Sequence, residues 1–584
     1  MNMFPLLRRL RWSALKDNAT TVLRWEIGAV VLAAMVCGMW LMGQKHTYAV
    51  VHLLAVAGFG TVLLSAGAGL ILAQKRVLPT GDWRNKAWAI GGLAFLTLLL
   101  RLPFFFLSRP GSDDESTFIL LGQDVLNGHL PYTHLWDTKP PLVGLVFGLC
   151  LAFAHSVVAV RIGAMVAVLF SGYTLYVVGT RLYGGLAGIW AAILLIVYVS
   201  VHHSGQSLMS EHIVLIPLSG ILLLAFRSRP TALACLGIGV CFGVAVFTRT
   251  NTGLLFPGLV LFAALHSADV APGSRIRFIT ALLAGGLIPA AVLVALYAAG
   301  GQLPLFFRSL LAPLQLGHVN LRDPTRFIAD SARLIGDHVK GGAVMLWAVF
   351  ALGIAFAWRA PGRDVRRSTL WLLGLEGLLW ISIAVMGTRA YHLIPAIPVM
   401  ALIGGYGVAR LCDRPLKWPL YVLIVMGLLL PIRRMAYPGR YIGLVDRTMH
   451  HERLMWDSEF QAADWLKQHG ADGQYVHLCG GGFQLIYWLT DAKLTSRYAD
   501  PGVLNMDGVI KAVEGPASSP ETVWRGIMDT KPLFLVDRGC SRGGQWVSGH
   551  ADEVMKAYSF ETQVGGANIF RRRQVEPPTP GERP

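Results

Sequence analysis

The stretch SRPGSDDESTFILLGQDVLNGHLPYTHLWDTKPPL, Ser108 to Leu142, sets Asp113, Asp114 and Glu115 side by side and closes on Asp137 and on Lys139 ahead of two prolines. Glu211 stands before a second apolar run, Arg249 sits in FTRTNTG between two such runs, and Arg389, Tyr391 and His392 open another in GTRAYHLIPAIP. Ionisable groups at membrane depth are costly and mark functional sites by default. A carboxylate can accept the proton of an attacking hydroxyl, and cations can hold a leaving group as its negative charge grows. If the leaving group is a phosphate carried on a lipid, the cations must stand at headgroup depth, where these fall. The transferred group is then a sugar, attacked at its anomeric carbon from the side opposite the phosphate. Each residue alone also has a plainer reading. The acids can be a solvated cap, KPP a helix start, Glu211 an exposed loop end and the arginines snorkelling anchors. The pair His202 and His203 reads more readily as interfacial histidines than as metal ligands. The chemical reading rests on the conjunction.

The elements that must position these groups are membrane helices. Of 584 residues, 54% are hydrophobic and only 15% charged, with mean hydropathy +0.52. Apolar runs of about 15 to 25 residues recur, as needed to cross ~30 Å of hydrocarbon. The net charge of +17 does not signal nucleic acid, because Arg and Lys sit mainly in short loops where a polytopic protein carries them. The start MNMFPLLRRLRW is basic and shows no cleavable signal pattern. Arg8, Arg9, Arg11, Lys16 and Arg24 place the N-terminus in the cytoplasm, and the basic loop QKRVLPTGDWRNK returns there. Ile27 to Met42 and Ala49 to Ala73 span, Ala87 to Leu107 goes out, and the acidic segment lands outside. Leu142 to Ala154 is too short to cross and is expected to be re-entrant or interfacial. With that assignment the later basic loops fall inside, and the runs from Val157 to Leu430 complete about thirteen spans.

The expected organisation is an N-terminal cytoplasmic segment plus two additional transmembrane helices over 1–86 and a transmembrane domain over 87–431. Its outer loops are 108–141, 200–212 and 301–342, the last read as a long loop from Gln302 to Gly342. Residues 432–574 form an extracytoplasmic soluble α/β domain, and 575–584 a disordered tail. Within that domain EFQAADWLKQHG reads as an amphipathic helix, and YVHLC, PLFLVD and ANIFRR as strands. Cys479 and Cys540 are the two cysteines in the polar region, and a disulfide between them is compatible with an extracytoplasmic location.

The spacing of Asp114-Glu115, Gly128, Pro131-Tyr132 and Lys139-Pro140-Pro141 resembles the first outer loop of the GT-C class of membrane glycosyltransferases. The nearest branch is the bacterial part of the dolichyl-phosphate-mannose-protein mannosyltransferase superfamily, which includes the lipid A aminoarabinose transferase. RLYGGLAG, the acidic Glu211, the FTRTNTG turn, RAYHLIPAIPVMAL and YWLTDAKLTSRYADP continue the resemblance. It implies a transferase that takes a sugar from a polyprenyl-phosphate donor on the outer face of the cell inner membrane, with inversion. The acceptor is a glycolipid, polysaccharide or protein. Asp114 carries over as the catalytic carboxylate with Glu115 beside it, Asp113 able to share its role, and Glu211 shaping the acceptor or metal site. Lys139 and Arg249, with Arg389, Tyr391 and His392, would face the donor phosphate, and Tyr132, Asp137 and His203 would complete the pocket. The resemblance fixes no cofactor. A divalent metal (Mg, Mn or Ca) serves some members, and here Asp114 and Glu211 would hold it. A flippase or transporter of lipid-linked glycans and a glycan ligase remain as alternatives. Against transport, no inverted repeat stands out and the charges lie at one rim.

Overall fold

The computed structural model describes residues 83–106, 114–202, 204–227, 231–268, 274–313, 324–386, 389–412, 424, 427–429, 431–432, 437–538 and 550–573. The first two expected spans, Asp113, His203, Cys540, the tail and most of the run Trp418 to Leu430 lie outside the described residues. In chain order the helices of the apolar part are α1 Trp83–Phe106, α2 Asp114–Leu126, α3 Leu142–Phe153, α4 Val157–Tyr183 and α5 Gly185–Ser200. They continue as α6 Ser210–Ala225, α7 Ala232–Thr248, α8 Phe256–Ala268, α9 Ser274–Ala299, α10 Leu303–Leu311 and α11 Pro324–His338. α12 Val344–Arg359, α13 Arg363–Met386 and α14 Ile397–Cys412 complete this part.

Among the described residues five helices are long and apolar enough to cross a membrane, within Ala89–Phe106, Val157–Tyr183, Arg275–Ala299, Phe327–Arg359 and Tyr391–Cys412. Five shorter apolar helices accompany them, including Leu142–Phe153 and Gly185–Ser200. α5 is buried from Ala187 to Ser200 and so has no polar face to spare, which suits a helix at the centre of the bundle. The segment Gln302 to Gly342, expected to be a loop, instead carries α10 and α11. Leu303, Phe306 and Leu310 recur at helical spacing on α10 and pack into one core, so a packed apolar face overrides the turn signals around it.

Helix packing inside a membrane gains little from hydrophobicity and relies on close backbone approach. Between α7 and α9 this approach is reciprocal. A Cβ on Gly239 would lie 2.1 Å from the Leu282 carbonyl oxygen, and one on Gly285 2.0 Å from that of Leu236. Arg101 of α1 is fully buried and donates to the carbonyls of Gly205 (2.8 Å) and Gln206 (3.1 Å). Gln206 Nε2 returns a bond to Leu100 O at 3.0 Å, so the loop before α6 is fastened into the bundle.

The C-terminal part contains α15 Tyr437–Met449, α16 Ser458–Gln468, β1 Tyr475–Cys479, α17 Leu485–Thr490, β2 Lys493–Leu494, α18 Asp507–Glu514 and α19 Pro520–Asp529. It ends with β3 Phe534–Asp537, α20 Ala551–Ala557, β4 Tyr558–Val564 and β5 Ala567–Arg572. The strands form one sheet in the order β2-β1-β3-β5-β4. β1 runs parallel to β2 and β3, while β5 is antiparallel to β3 and β4. The helix and three strands expected from EFQAADWLKQHG, YVHLC, PLFLVD and ANIFRR are all present. Cys479 is disulfide-bonded. The sheet does not stand apart from the bundle. Leu120 of α2 and Leu135 share its core with Val476, Leu478 and Val536, and Tyr132, Trp136, Tyr297 and Phe306 share another with Tyr498 and Val503.

Gly239→Leu should force α7 and α9 apart and cost on the order of 1–3 kcal/mol. It should be seen as a lowered Tm of the detergent-solubilised protein. Gly374→Ala, whose added Cβ meets nothing within 4 Å, should leave the Tm unchanged.

Candidate active site

The segment between α2 and α3 folds back on itself. Asp114 and Glu115 occupy the first turn of α2, where unpaired backbone N–H groups favour negative charge. Successive helical residues point about 100° apart, and the two acids go different ways. Glu115 is buried, lies 3.4 Å from Arg161 of α4 and accepts the Leu208 N–H at 2.9 Å. Asp114 faces the other side, where Tyr391 donates its hydroxyl to Oδ2 at 3.4 Å and Arg389 in turn reaches Tyr391 Oη at 3.3 Å.

Beyond α2, Tyr132 adopts φ 73°, a left-handed conformation unfavourable for a bulky residue. Its hydroxyl donates to the Lys139 carbonyl at 2.8 Å, while Tyr297 donates to the carbonyl of Pro131 at 2.6 Å. Asp137 Oδ1 accepts the Lys139 N–H at 2.8 Å. These bonds close the loop and turn Asp137 and the Lys139 ammonium inward, and Pro140 and Pro141 then start α3.

A second group comes from α6 and α7. Glu211 is buried and ion-paired with Arg249, the residue that ends α7. Ser210 Oγ donates to Glu211 Oε2 at 3.0 Å and accepts from Arg249 at 3.1 Å. His392 Nε2 lies 4.0 Å from Glu211 Oε1, and its ring packs edge-on against Tyr391 at 4.6 Å. Lys139 joins the two groups. Burial alone would lower its pKa, but Asp114, Glu211, Asp137 and Tyr391 outweigh that and hold the ammonium above its usual value.

A further carboxylate arrives from the C-terminal part. Trp136 pairs with Tyr498 in a parallel bridge, its N–H donating to Arg497 O at 2.7 Å and its carbonyl accepting from Ala499 at 3.0 Å. Arg497 also donates to the carbonyl of Tyr132. This splice brings Asp500 to the same cluster, where it interacts with Asp114, Lys139 and Arg389. Burial raises its pKa, the Gly502 N–H opposes, and Asp114 adds to the rise against Lys139 and Arg389.

Of the candidate residues, Asp114, Asp137, Lys139, Glu211, Arg249, Arg389, Tyr391 and His392 thus converge. Tyr132 supports them from behind, Glu115 points away into its pair with Arg161, and Asp113 and His203 lie outside the described residues. Asp500 lies in YWLTDAKLTSRYADP, a segment that continues the resemblance, but sequence reasoning gave the carboxylate itself no role. It also missed Asp124, His129 and His134, whose ligand atoms lie within 4.8 Å of one another. A divalent metal does not suit Glu211, because Arg249 already occupies its carboxylate and Lys139 adds a second positive charge nearby.

The fold that carries this cluster is shared with solved structures of a membrane protein, ArnT. The chain is similar to ArnT from Cupriavidus metallidurans bound to undecaprenyl phosphate, with TM-score 0.56 and 12% identity over 83% of this chain and 98% of that one. The apo state of the same ArnT gives TM-score 0.53 at 12% identity, over 83% and 97% of the two chains. Archaeal AglB from Archaeoglobus fulgidus, in complex with an inhibitory peptide and a dolichol-phosphate, gives 0.47 at 14% identity, over 85% and 75%. No protein-family model and no curated protein matches the sequence.

Two outcomes follow from the geometry. Glu115→Gln should remove one counter-charge from buried Arg161, which keeps its bond to the Phe104 carbonyl, and cost on the order of 1–3 kcal/mol, so its Tm should fall below that of Asp114→Asn. Burial, the largest cause, raises Asp137 to about 6; Lys139 opposes it, and Asp500 and Asp114 add to it. The folded protein therefore holds this proton more tightly than the unfolded chain, whose Asp titrates near ~3.9. Stability should fall as pH rises from about 4 to about 6 and level off above. Asp137→Asn should show a shallower slope in a Tm-against-pH series, Asp500 keeping a share of it, and parallel curves for the two proteins would remove the assignment.

Proposed function

We propose that the protein is a membrane glycosyltransferase that moves a sugar from a polyprenyl-phosphate donor to a hydroxyl acceptor, with inversion at the anomeric carbon. The observation that carries the reading is the meeting of Asp114 with Lys139, Arg389 and Tyr391 in one cluster at the mouth of a GT-C fold. The solved ArnT of the same fold, bound to undecaprenyl phosphate, supports a lipid phosphate as the donor's carrier. Asp114 then takes the acceptor proton as the new C–O bond forms. Lys139, Arg389, Tyr391 and His392 receive the charge that develops on the departing phosphate. Arg249 joins them to the extent that phosphate competes with Glu211 for its guanidinium. Asp500, delivered with the C-terminal part, orients the acceptor.

On this reading residues 1–86 supply two further spans to a bundle of about thirteen, and residues 87–431 form the catalytic membrane domain. Residues 432–574 form an extracytoplasmic domain, and the cluster opens to the periplasmic side of the inner membrane. The acceptor is a glycolipid, a polysaccharide or a protein, and the sugar is a hexose or pentose.

Mass spectrometry of membrane glycolipids, glycans and glycoproteins with and without the gene should show one modification that depends on it. Asp114→Asn should lower transfer by about 10²-fold or more while the protein stays folded and membrane-inserted. Lys139→Ala should weaken use of the lipid-phosphate donor, read as a raised donor KM. Near-normal transfer by Asp114→Asn would dismiss the base, and movement of lipid-linked sugar without a new glycosidic bond would favour a flippase.

A further inference from the structure

The loop that ends on Lys139 also holds a constellation that sugar transfer does not use. Asp124, in the last turn of α2, is only 5% exposed. Its Oδ1 faces two imidazoles, with His129 Nδ1 at 2.8 Å and His134 Nδ1 at 2.6 Å, while Oδ2 accepts the Leu135 N–H at 3.2 Å. The two rings stack with centroids 4.5 Å apart. The backbone fixes this arrangement. Gly128 at φ 90° reverses the chain after α2, His129 N–H donates to Asp124 O at 3.2 Å, and Thr133 N–H donates to Leu130 O at 3.0 Å.

We propose that Asp124, His129 and His134 bind a divalent cation of the zinc type, with solvent as the remaining ligand, and that this ion staples the loop presenting Asp137 and Lys139. Two imidazoles and one carboxylate are the donor set of a zinc-like site, whereas magnesium and calcium prefer oxygen alone. The three donor atoms already lie within 4.8 Å of one another, so ligation needs only small side-chain rotations. Binding through Nδ1 moves each ring's proton to Nε2, a tautomer change without change of charge. The carboxylate anchors the ion from the buried side, and the histidine side chains, 43% and 59% exposed, leave an entry path and a place for water. Asp124 and Lys139 line the same small cavity together with Tyr132, Leu135 and Asp137. An ion that joins the end of α2 to His134 therefore clamps the chain one residue before Leu135 and five before Lys139.

The test uses the full chain, purified in detergent through a tag without histidine, stripped with EDTA and titrated with zinc chloride. Calorimetry, with metal analysis after desalting, should give one zinc per chain at micromolar or tighter affinity, and magnesium should not compete. His129→Ala with His134→Ala should weaken binding by at least about tenfold, and His450→Ala, an exposed histidine elsewhere, should bind as wild type. Zinc should raise the Tm of the wild type and leave that of the double variant unmoved. If the double variant fails to fold, His134→Gln replaces it, since that side chain is exposed. Absence of stoichiometric zinc in the wild type, or undiminished binding by the histidine variants, would overturn the site. Neither result bears on the glycosyltransferase reading, which uses no metal.

Discussion

The polar cluster of this fold depends on one ammonium group. Asp114, Asp137 and Glu211 all act on Lys139, and Asp500 faces it from the C-terminal part. Carboxylates gathered out of water repel one another, and a pair 4 Å apart costs about 4 kcal/mol at an effective dielectric of 20. A cation among them converts that repulsion into attraction. Lys139 cannot leave easily, because its backbone is held from both sides. Its N–H bonds to Asp137, its carbonyl to the Tyr132 hydroxyl, and Pro140 follows at once. The left-handed φ of Tyr132 is the conformational cost of this closure, offset by its hydroxyl bond and by a ring packed near Trp136.

That closure explains why the C-terminal sheet is fused to the bundle rather than tethered to it. The loop offers Trp136 as a one-residue strand to Tyr498, buries its indole beneath α10 through a 2.9 Å bond to Ser309, and lends the Tyr132 carbonyl to Arg497. Ser116 of α2 reaches Glu459 at 3.2 Å, and the same glutamate accepts the Leu485 N–H at 2.7 Å. The helices of the bundle, the loop before α3 and the C-terminal sheet thus share buried polar bonds as well as cores. A domain so attached cannot swing away without exposing Tyr132 and Trp136, so the carboxylate it contributes, Asp500, has a fixed place in the cluster. Its side chain is held further by the Gly502 N–H at 2.9 Å.

Much of this was legible in the sequence, and what was not has physical causes. Apolar runs located helices α3 to α9 within a few residues, and charges at their outer ends gave most of the cluster. Adjacency hid the division of labour between Asp114 and Glu115, because neighbours on a helix point apart and only the tertiary partner decides which is buried. That partner carried a signal: Arg161 interrupts VVAVRIG, and a guanidinium inside such a run needs an anion. α10 and α11 were read as loop because glycine, proline and charge surround them, although their apolar residues keep helical spacing. Asp500 lies in a segment the resemblance covers, but nothing local ties its carboxylate to the cluster. Its position depends on a two-residue splice between segments more than 350 positions apart, and a pairing of that length follows from packing, not local pattern.

The ion pair between Glu211 and Arg249 shows how such a site can stay folded without its ligand. A buried arginine without a counter-charge is destabilising by several kcal/mol, and under the proposed function a site that receives phosphate faces that cost whenever it is empty. Glu211 removes it by neutralising Arg249 from the neighbouring helix, with Ser210 bonded to both. An arriving phosphate must then compete with a carboxylate already in place, so Arg249 contributes less to ground-state binding than its charge suggests. Among the described residues Lys139 has no single ion-pair partner of this kind. Its ammonium is shared among several carboxylates and a phenol, so a phosphate near it disturbs no one pair. Under the proposed function the two cations therefore differ in role. Lys139 is available to the donor from the outset, and Arg249 becomes available as the phosphate's charge grows and Glu211 is outcompeted, which is when transition-state stabilisation is needed.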